Sequence, residues 1–276
     1  MSSLSLEEIR AIDKIFEMNN WDKKRKLPTK QTTMFDAITG LVAAIESQKR
    51  NIIIDLLRNY EIITDYYSMA CDMSEKLIDT IVVGDTYFMI PVALPEEGKI
   101  KSGHNFCYDL SSVFPKEAKN NVVFVDSLQS SKIKISSNSH IIFIDDFIGT
   151  GRQVSKVIDK LIKNSGMPKS ISVVAIRIQQ EALDRLKSKG VGVIAGAIRK
   201  KAISSGEFIS GMSVTEAMAA YVSIENMLKP PEKYRLGYGG SEAIITMKRT
   251  PNNTLPIFWM EKTDGGANWP APFPRT

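Results

Sequence analysis

Residues 141–153 read IIFIDDFIGTGRQ. Ile141, Ile142, Phe143 and Ile144 form an unbroken apolar run, which predicts a strand buried on both faces. Two carboxylates, Asp145 and Asp146, stand where that strand is expected to end. The small-residue turn Gly149-Thr150-Gly151 follows, and a helix is predicted over 153–162. In an open α/β sheet, ligands sit beyond the carboxyl ends of the strands. Backbone N–H groups of a glycine-containing turn at a helix N-terminus favour a phosphate. The carboxylates repel that phosphate and suit hydroxyl donors or a divalent cation instead. One site offering both predicts a sugar phosphate, its hydroxyls on Asp145 and Asp146 and its phosphate on the turn. The competing reading is an ordinary strand, turn and helix with acidic capping. It is weaker because paired carboxylates at a strand end are costly without a ligand or cation.

Strand and helix signals alternate on both sides of this stretch. Strands are predicted over 86–94, 121–126, 169–178 and 191–197, and helices over 104–114 and 180–189. That alternation implies an α/β fold with a doubly wound, mostly parallel sheet over 84–200. The loop over 95–103 ends in Lys101-Ser102-Gly103, ahead of a helix, as the Gly149-Thr150-Gly151 turn does. Lys101 supplies a positive charge, Ser102 a hydroxyl and Gly103 room for close backbone approach. A lysine-bearing turn with no ligand is the alternative.

Residues 1–83 read as a helical layer. Ser5 and Glu8 form a capping box ahead of Ile9, Ile12, Ile15 and Phe16, which recur at helical spacing. A second helix opens at Thr32 or Thr33, and further helices are predicted over 50–63 and 69–81. Residues 201–276 are predicted to be a C-terminal extension packed on the core. Within it a helix over 213–228 is capped by Ser213 and Glu216, and 242–247 is a candidate strand. The tail is dense in Pro, Asn, Gly and aromatics. Trp259 and Trp269 either anchor it or stack on a base, and anchoring is the commoner role.

Composition sets the limits. A hydrophobic share of 43% with 24% charged residues fits a globular protein. No apolar run reaches the ~18 residues of a membrane span, and the start MSSLSLEEIR lacks the regions of a signal peptide. Cys71 and Cys107 are the only cysteines, which argues for a reducing, cytoplasmic setting. His104 and His140 have no zinc-ligand spacing to each other or to the cysteines. The net charge of +5 is compatible with anionic ligands and demands none. The basic run Lys23-Lys24-Arg25-Lys26 beside Trp21 is either a solvated linker or a grip on nucleic acid.

The stretch from Asp145 to Gln153 resembles the ribose-phosphate motif of type I phosphoribosyltransferases. That motif has two acids, two apolar residues, a small residue, Thr and Gly, then a variable position and a hydroxyl residue. Gln153 departs from it, standing where the hydroxyl residue is usual. The resemblance implies that Gly149, Thr150, Gly151, Arg152 and Gln153 bind the 5-phosphate of phosphoribosyl pyrophosphate, with Asp145 and Asp146 catalytic. It implies that Lys101, Ser102 and Gly103 meet the departing pyrophosphate. It also implies Mg²⁺, carried by the substrate and near Asp145 and Asp146. Residues 127–139, with Lys132 and Lys134, then take the place of the loop that closes over the reaction. With the YGGSEAII segment and the NNTLPIFW tail, the chain looks like the phosphoribosyltransferase-like proteins of bacterial conflict systems. This implies an effector or sensor in an anti-phage system such as a retron. The implied partners are a reverse transcriptase–nucleic acid complex, another defence protein, or further copies of the chain. A non-catalytic nucleotide sensor or a nucleic-acid-associated regulator on the same fold is the alternative.

Overall fold

The computed structural model describes residues 3–21, 33–93, 102–128, 130 and 133–275. In chain order its longer helices and its strands are α1 (Leu6–Asn19), α2 (Met34–Ala43), α3 (Arg50–Arg58), β1 (Glu61–Ile62), α4 (Tyr66–Ile78), β2 (Thr86–Pro91), α5 (Ser102–Val113) and β3 (Val122–Phe124). They continue with β4 (Ser139–Ile148), α6 (Arg152–Ser165), β5 (Ser170–Gln179), α7 (Gln180–Lys187), β6 (Gly192–Arg199), α8 (Val214–Leu228) and β7 (Ile245–Thr246). Two compact units result, Asp65–Arg199, and Met1–Thr64 with Lys200–Thr276.

The first unit carries the predicted parallel sheet. Its five strands run in the order β3-β2-β4-β5-β6, every pairing parallel. Ile141, Ile142, Phe143 and Ile144 are buried between β2 and β5, as a continuous apolar run requires. The chain leaves β2, pairs β3 on one side of it, and returns to place β4 on the other. The order therefore reverses between β2 and β4, and the crevice beyond their carboxyl ends is the topological switch point. One expectation needs correcting. β4 does not stop before the acids but runs to Ile148, with Asp145 opposite Ala175 and Phe147 opposite Arg177. Phe147 and Ile148 are apolar and buried, so they keep the ladder going past the carboxylates.

The second unit joins the two ends of the chain in one core. Ile12, Phe16, Ile38, Leu41 and Tyr60 pack with Tyr221, Leu255, Phe258 and Phe273. The capping boxes at Ser5 and Glu8 and at Ser213 and Glu216 both form. Thr33 and Asp36 make a third, ahead of α2. The helix predicted over 50–63 ends at Arg58 instead. Tyr60-Glu61-Ile62-Ile63-Thr64 is rich in β-branched and aromatic residues that prefer extended backbone. Glu61 and Ile62 pair in parallel with Ile245 and Thr246. Trp21 is buried among Phe16, Tyr60 and Phe273, so no face of it is open to stack on a base. The neighbouring Lys23-Lys24-Arg25-Lys26 run lies outside the described residues. Trp259 and Trp269 anchor the tail, donating from their ring N–H groups to the carbonyls of Thr254 and Ile257.

The sequence predicts a division after residue 83, whereas in the structure it falls between Thr64 and Asp65. Asp65 accepts from the Ser68 N–H and so starts α4 earlier than the predicted 69. The helix packs on α5, β5 and β6 through buried Tyr66, Ala70, Met73 and Leu77. No helix among the described residues is long and apolar enough to cross a membrane.

Candidate functional site

The switch point brings together two segments that lie far apart in sequence. β2 leads into α5, which opens on Ser102 and Gly103, and β4 carries Asp145 and Asp146 near its carboxyl end. Ser102 Oγ donates to Asp146 Oδ1 at 2.8 Å. Gly103 lies so close to β4 that an added Cβ would meet Asp145 Oδ1 at 2.9 Å and the Ile144 carbonyl at 3.2 Å. Gly103 permits this approach because it has no side chain. Lys101 lies outside the described residues, as does Lys132, whereas Lys134 is exposed.

The two acids differ in environment. Asp145 is half-buried, and its Oδ1 accepts from the Asp146 N–H at 3.0 Å. Asp146 is 3% exposed. Its Oδ1 also accepts from the Phe147 N–H at 2.9 Å, and its Oδ2 from the hydroxyl of Tyr66. Tyr66 is a site residue that the sequence did not reveal. It falls between the helices predicted over 50–63 and 69–81, and its ring packs edge-on against Phe106. Only the register of α4 against β4 shows where its hydroxyl goes.

Beyond Ile148 the chain turns sharply into α6. Gly151 is the N-cap residue, with φ of 71°, and no side chain caps the helix. By contrast α1, α2, α4 and α8 each carry a side-chain cap. The first N–H groups of α6 thus meet no capping side chain, which suits an anion. Gly149 and Thr150 are buried, while Arg152 and Gln153 are exposed on the first turn of α6. Arg185, on α7, braces the turn by donating from Nε to the Thr150 carbonyl at 2.9 Å. Ala182 of α7 lies against Gly151, where a Cβ would sit 3.1 Å from it. The site therefore sets a short acidic wall of two carboxylates next to an uncapped, glycine-initiated helix.

A parallel sheet whose switch point carries an acidic strand end feeding a Gly-Thr-Gly turn defines a type I phosphoribosyltransferase-like protein. The chain belongs to the PRTase-CE family, whose model matches residues 29–275. Among solved structures it is similar to orotate phosphoribosyltransferase from Aeropyrum pernix, with 19% identity, 48% of this chain and 70% of that one covered, and a TM-score of 0.35. It is also similar to hypoxanthine-guanine phosphoribosyltransferase from Schistosoma mansoni in complex with IMP, with 18% identity, 47% and 64% covered, and a TM-score of 0.31. No curated protein matches the chain. The match over 29–275 alone carries the family.

Proposed function

We propose that the site binds phosphoribosyl pyrophosphate or a related ribose phosphate. The pentose hydroxyls face Asp145 and Asp146. The 5-phosphate lies on the Gly149 to Gln153 turn, and Lys101, Ser102 and Gly103 serve the pyrophosphate. One observation carries this: Ser102 and Gly103 meet the acid pair at the switch point, beside an uncapped helix start. Calorimetric titration with phosphoribosyl pyrophosphate tests it. Asp145→Asn with Asp146→Asn is expected to weaken binding about tenfold or more, since each charge-assisted hydrogen bond contributes ~1.5–3 kcal/mol. Unchanged affinity in that double variant overturns the proposal.

Mg²⁺ fits this site only as a companion of the substrate. Among the described residues no three His, Cys, Asp or Glu side chains are grouped to hold a metal. Mg²⁺ keeps several waters and takes one or two carboxylates with substrate phosphates. Asp145 and Asp146 are the carboxylates that would stand near it. When bound, the ion supplies neutralising charge to the leaving pyrophosphate. The chain's own residues do the rest. Asp145 faces the positive charge that grows at the anomeric carbon as the C–O bond to pyrophosphate breaks. The nucleophile bonds to that carbon as pyrophosphate leaves, and its proton passes to the pyrophosphate or to water.

On this reading the protein is a phosphoribosyltransferase-like effector of an anti-phage system, such as one built around a retron. The support is the resemblance of the 145–153 motif, the YGGSEAII segment and the tail. Cells carrying the system with Asp145→Asn and Asp146→Asn are expected to lose protection against phage. Protection equal to the parent's contradicts the role.

A second reading, a ribose-phosphate sensor without turnover, is favoured by Gln153 standing where a hydroxyl residue is usual. Pyrophosphate release on incubation with candidate bases separates the two. Release that depends on Asp145 favours the enzyme, and tight binding with no release favours the sensor.

A further inference from the structure

The tail of the chain sets two arginines side by side, Arg249 and Arg275, in the unit that joins the chain ends. Neither has a part in the switch-point site. Thr250 is fully buried, and its hydroxyl donates to the Phe273 carbonyl at 2.9 Å. Phe273 is fully buried too, and its N–H donates to the Phe258 carbonyl at 2.8 Å. These ties fix Thr250 beside Phe273, and with them the residues that carry the two guanidinium groups. Arg249 is exposed and Arg275 is half-buried. The Arg275 guanidinium lies over the Trp259 ring, 5.2 Å from its centre. Trp259 is itself held, because its ring N–H donates to the Thr254 carbonyl at 2.8 Å. The ring therefore gives the guanidinium a set plane. Tyr234 meets Trp259 edge-on with 5.4 Å between ring centres, and Lys233 Nζ lies 4.9 Å from the centre of the Tyr234 ring.

Two cations held together repel, and partial burial adds to the cost. Burial, and after it the Arg249 charge, hold the Arg275 guanidinium below its ordinary value, with Tyr234 opposing them. Arg275 Nε is buried and meets no acceptor, so the Trp259 ring and not a protein oxygen steadies that edge. Among the described residues neither arginine forms an ion pair with an acidic side chain. An anion between them offsets the repulsion. The planar fork of a guanidinium suits the oxygens of a phosphate or a carboxylate. A phosphate monoester carries about two charges at neutral pH, which matches the pair better than the single charge of a carboxylate. We propose that Arg249 and Arg275 form a second anion site that takes a phosphate monoester, with Trp259 as the residue that orients Arg275. The ester is either a free nucleotide or the phosphorylated 5′ end of a nucleic-acid strand. The site is independent of the ribose-phosphate reading of the switch point.

The experiment is fluorine NMR of the full chain labelled with fluorotryptophan and titrated with inorganic phosphate. The chain has three tryptophans, and Trp259→Phe assigns the resonance of Trp259. That resonance is expected to move with phosphate and to saturate. Trp21 and Trp269 are 1% and 8% exposed, so their resonances are expected to stay and to report an intact fold. Sodium acetate at equal ionic strength is expected to move none of the three. Arg249→Gln is expected to weaken the Trp259 response about five- to tenfold, as the loss of one charge-assisted contact does. Arg275→Gln is expected to abolish it, and the exposed position of Arg249 covers the case of an Arg275→Gln chain that does not fold. Both variants are expected to keep the parental affinity for ribose 5-phosphate in calorimetry. Adenosine 5′-monophosphate and one oligonucleotide, with and without its 5′-phosphate, then identify the source. Saturation by the mononucleotide at the lower concentration assigns a free ester, and by the phosphorylated strand alone a strand end. A Trp259 resonance that ignores phosphate, or that moves as readily in Arg249→Gln, overturns the inference. One that follows acetate as far as phosphate overturns it in favour of a carboxylate partner such as an acidic peptide. Loss of ribose 5-phosphate affinity in Arg249→Gln overturns the independence of the two sites.

Discussion

Gly103 sits against Asp145, with room between them for no more than a hydrogen. A methyl group there would press on the carboxylate oxygen at 2.9 Å and on the Ile144 carbonyl at 3.2 Å. Gly103→Ala must therefore push α5 off β4 or turn Asp145 aside. Overpacking of this kind costs about 1–3 kcal/mol. The expected result is a lower unfolding midpoint in urea together with a loss of ribose 5-phosphate affinity. Parental values of both would show that the helix start yields without effect.

Gly151 combines a left-handed backbone with a close neighbour. Its φ is 71°, and a Cβ would meet Ala182 at 3.1 Å. A non-glycine residue held in left-handed backbone costs about 1–3 kcal/mol. Gly151→Ala is expected to lower stability by that amount and to weaken inorganic phosphate binding. Denaturant unfolding and phosphate titration check the two effects separately.

Glu225 places a carboxylate in the interior of the other unit. It is fully buried, with Oε1 accepting from the Leu236 N–H at 2.9 Å and the Tyr221 hydroxyl at 3.2 Å. Arg235 Nε approaches Oε2 only to 3.7 Å, too far for a hydrogen bond. Burial holds the carboxyl above its ordinary value of 4.5. A pKa raised on folding means that the folded state binds the proton more tightly. The stability from this group is fully present below the ordinary value and is lost as the pH rises through the folded one. The stability of the parent minus that of Glu225→Gln is therefore expected to fall as the pH climbs from 4.5. Chemical denaturation across that range measures it, and a difference that does not vary with pH contradicts the assignment.

Local chemistry made much of this legible in sequence. The unbroken run from Ile141 to Ile144 read as a strand covered on both faces, and Ser5 with Glu8 and Ser213 with Glu216 marked two helix starts. The acid pair and the glycine turn stood together in thirteen residues and needed no tertiary information. Long-range pairing was not legible. Glu61 and Ile62 join Ile245 and Thr246 through two rungs, too short for any period, so 50–63 read as one helix. Nor does spacing show that residues at opposite ends of the chain share one core. Tyr66 went unmarked because it falls between two predicted helices, and nothing in the sequence shows that its hydroxyl reaches Asp146. The continuation of β4 past Asp146 was hidden because paired carboxylates read as a strand's end, yet buried Phe147 and Ile148 carry the ladder on.

The most direct test is the structure of the chain crystallised with ribose 5-phosphate. The expected map shows the pentose beside Asp145, with its phosphate at the N–H groups that open α6 between Gly151 and Gln153. A crevice beyond β2 and β4 that stays filled by packed side chains, or a sugar bound elsewhere on the chain, would contradict it.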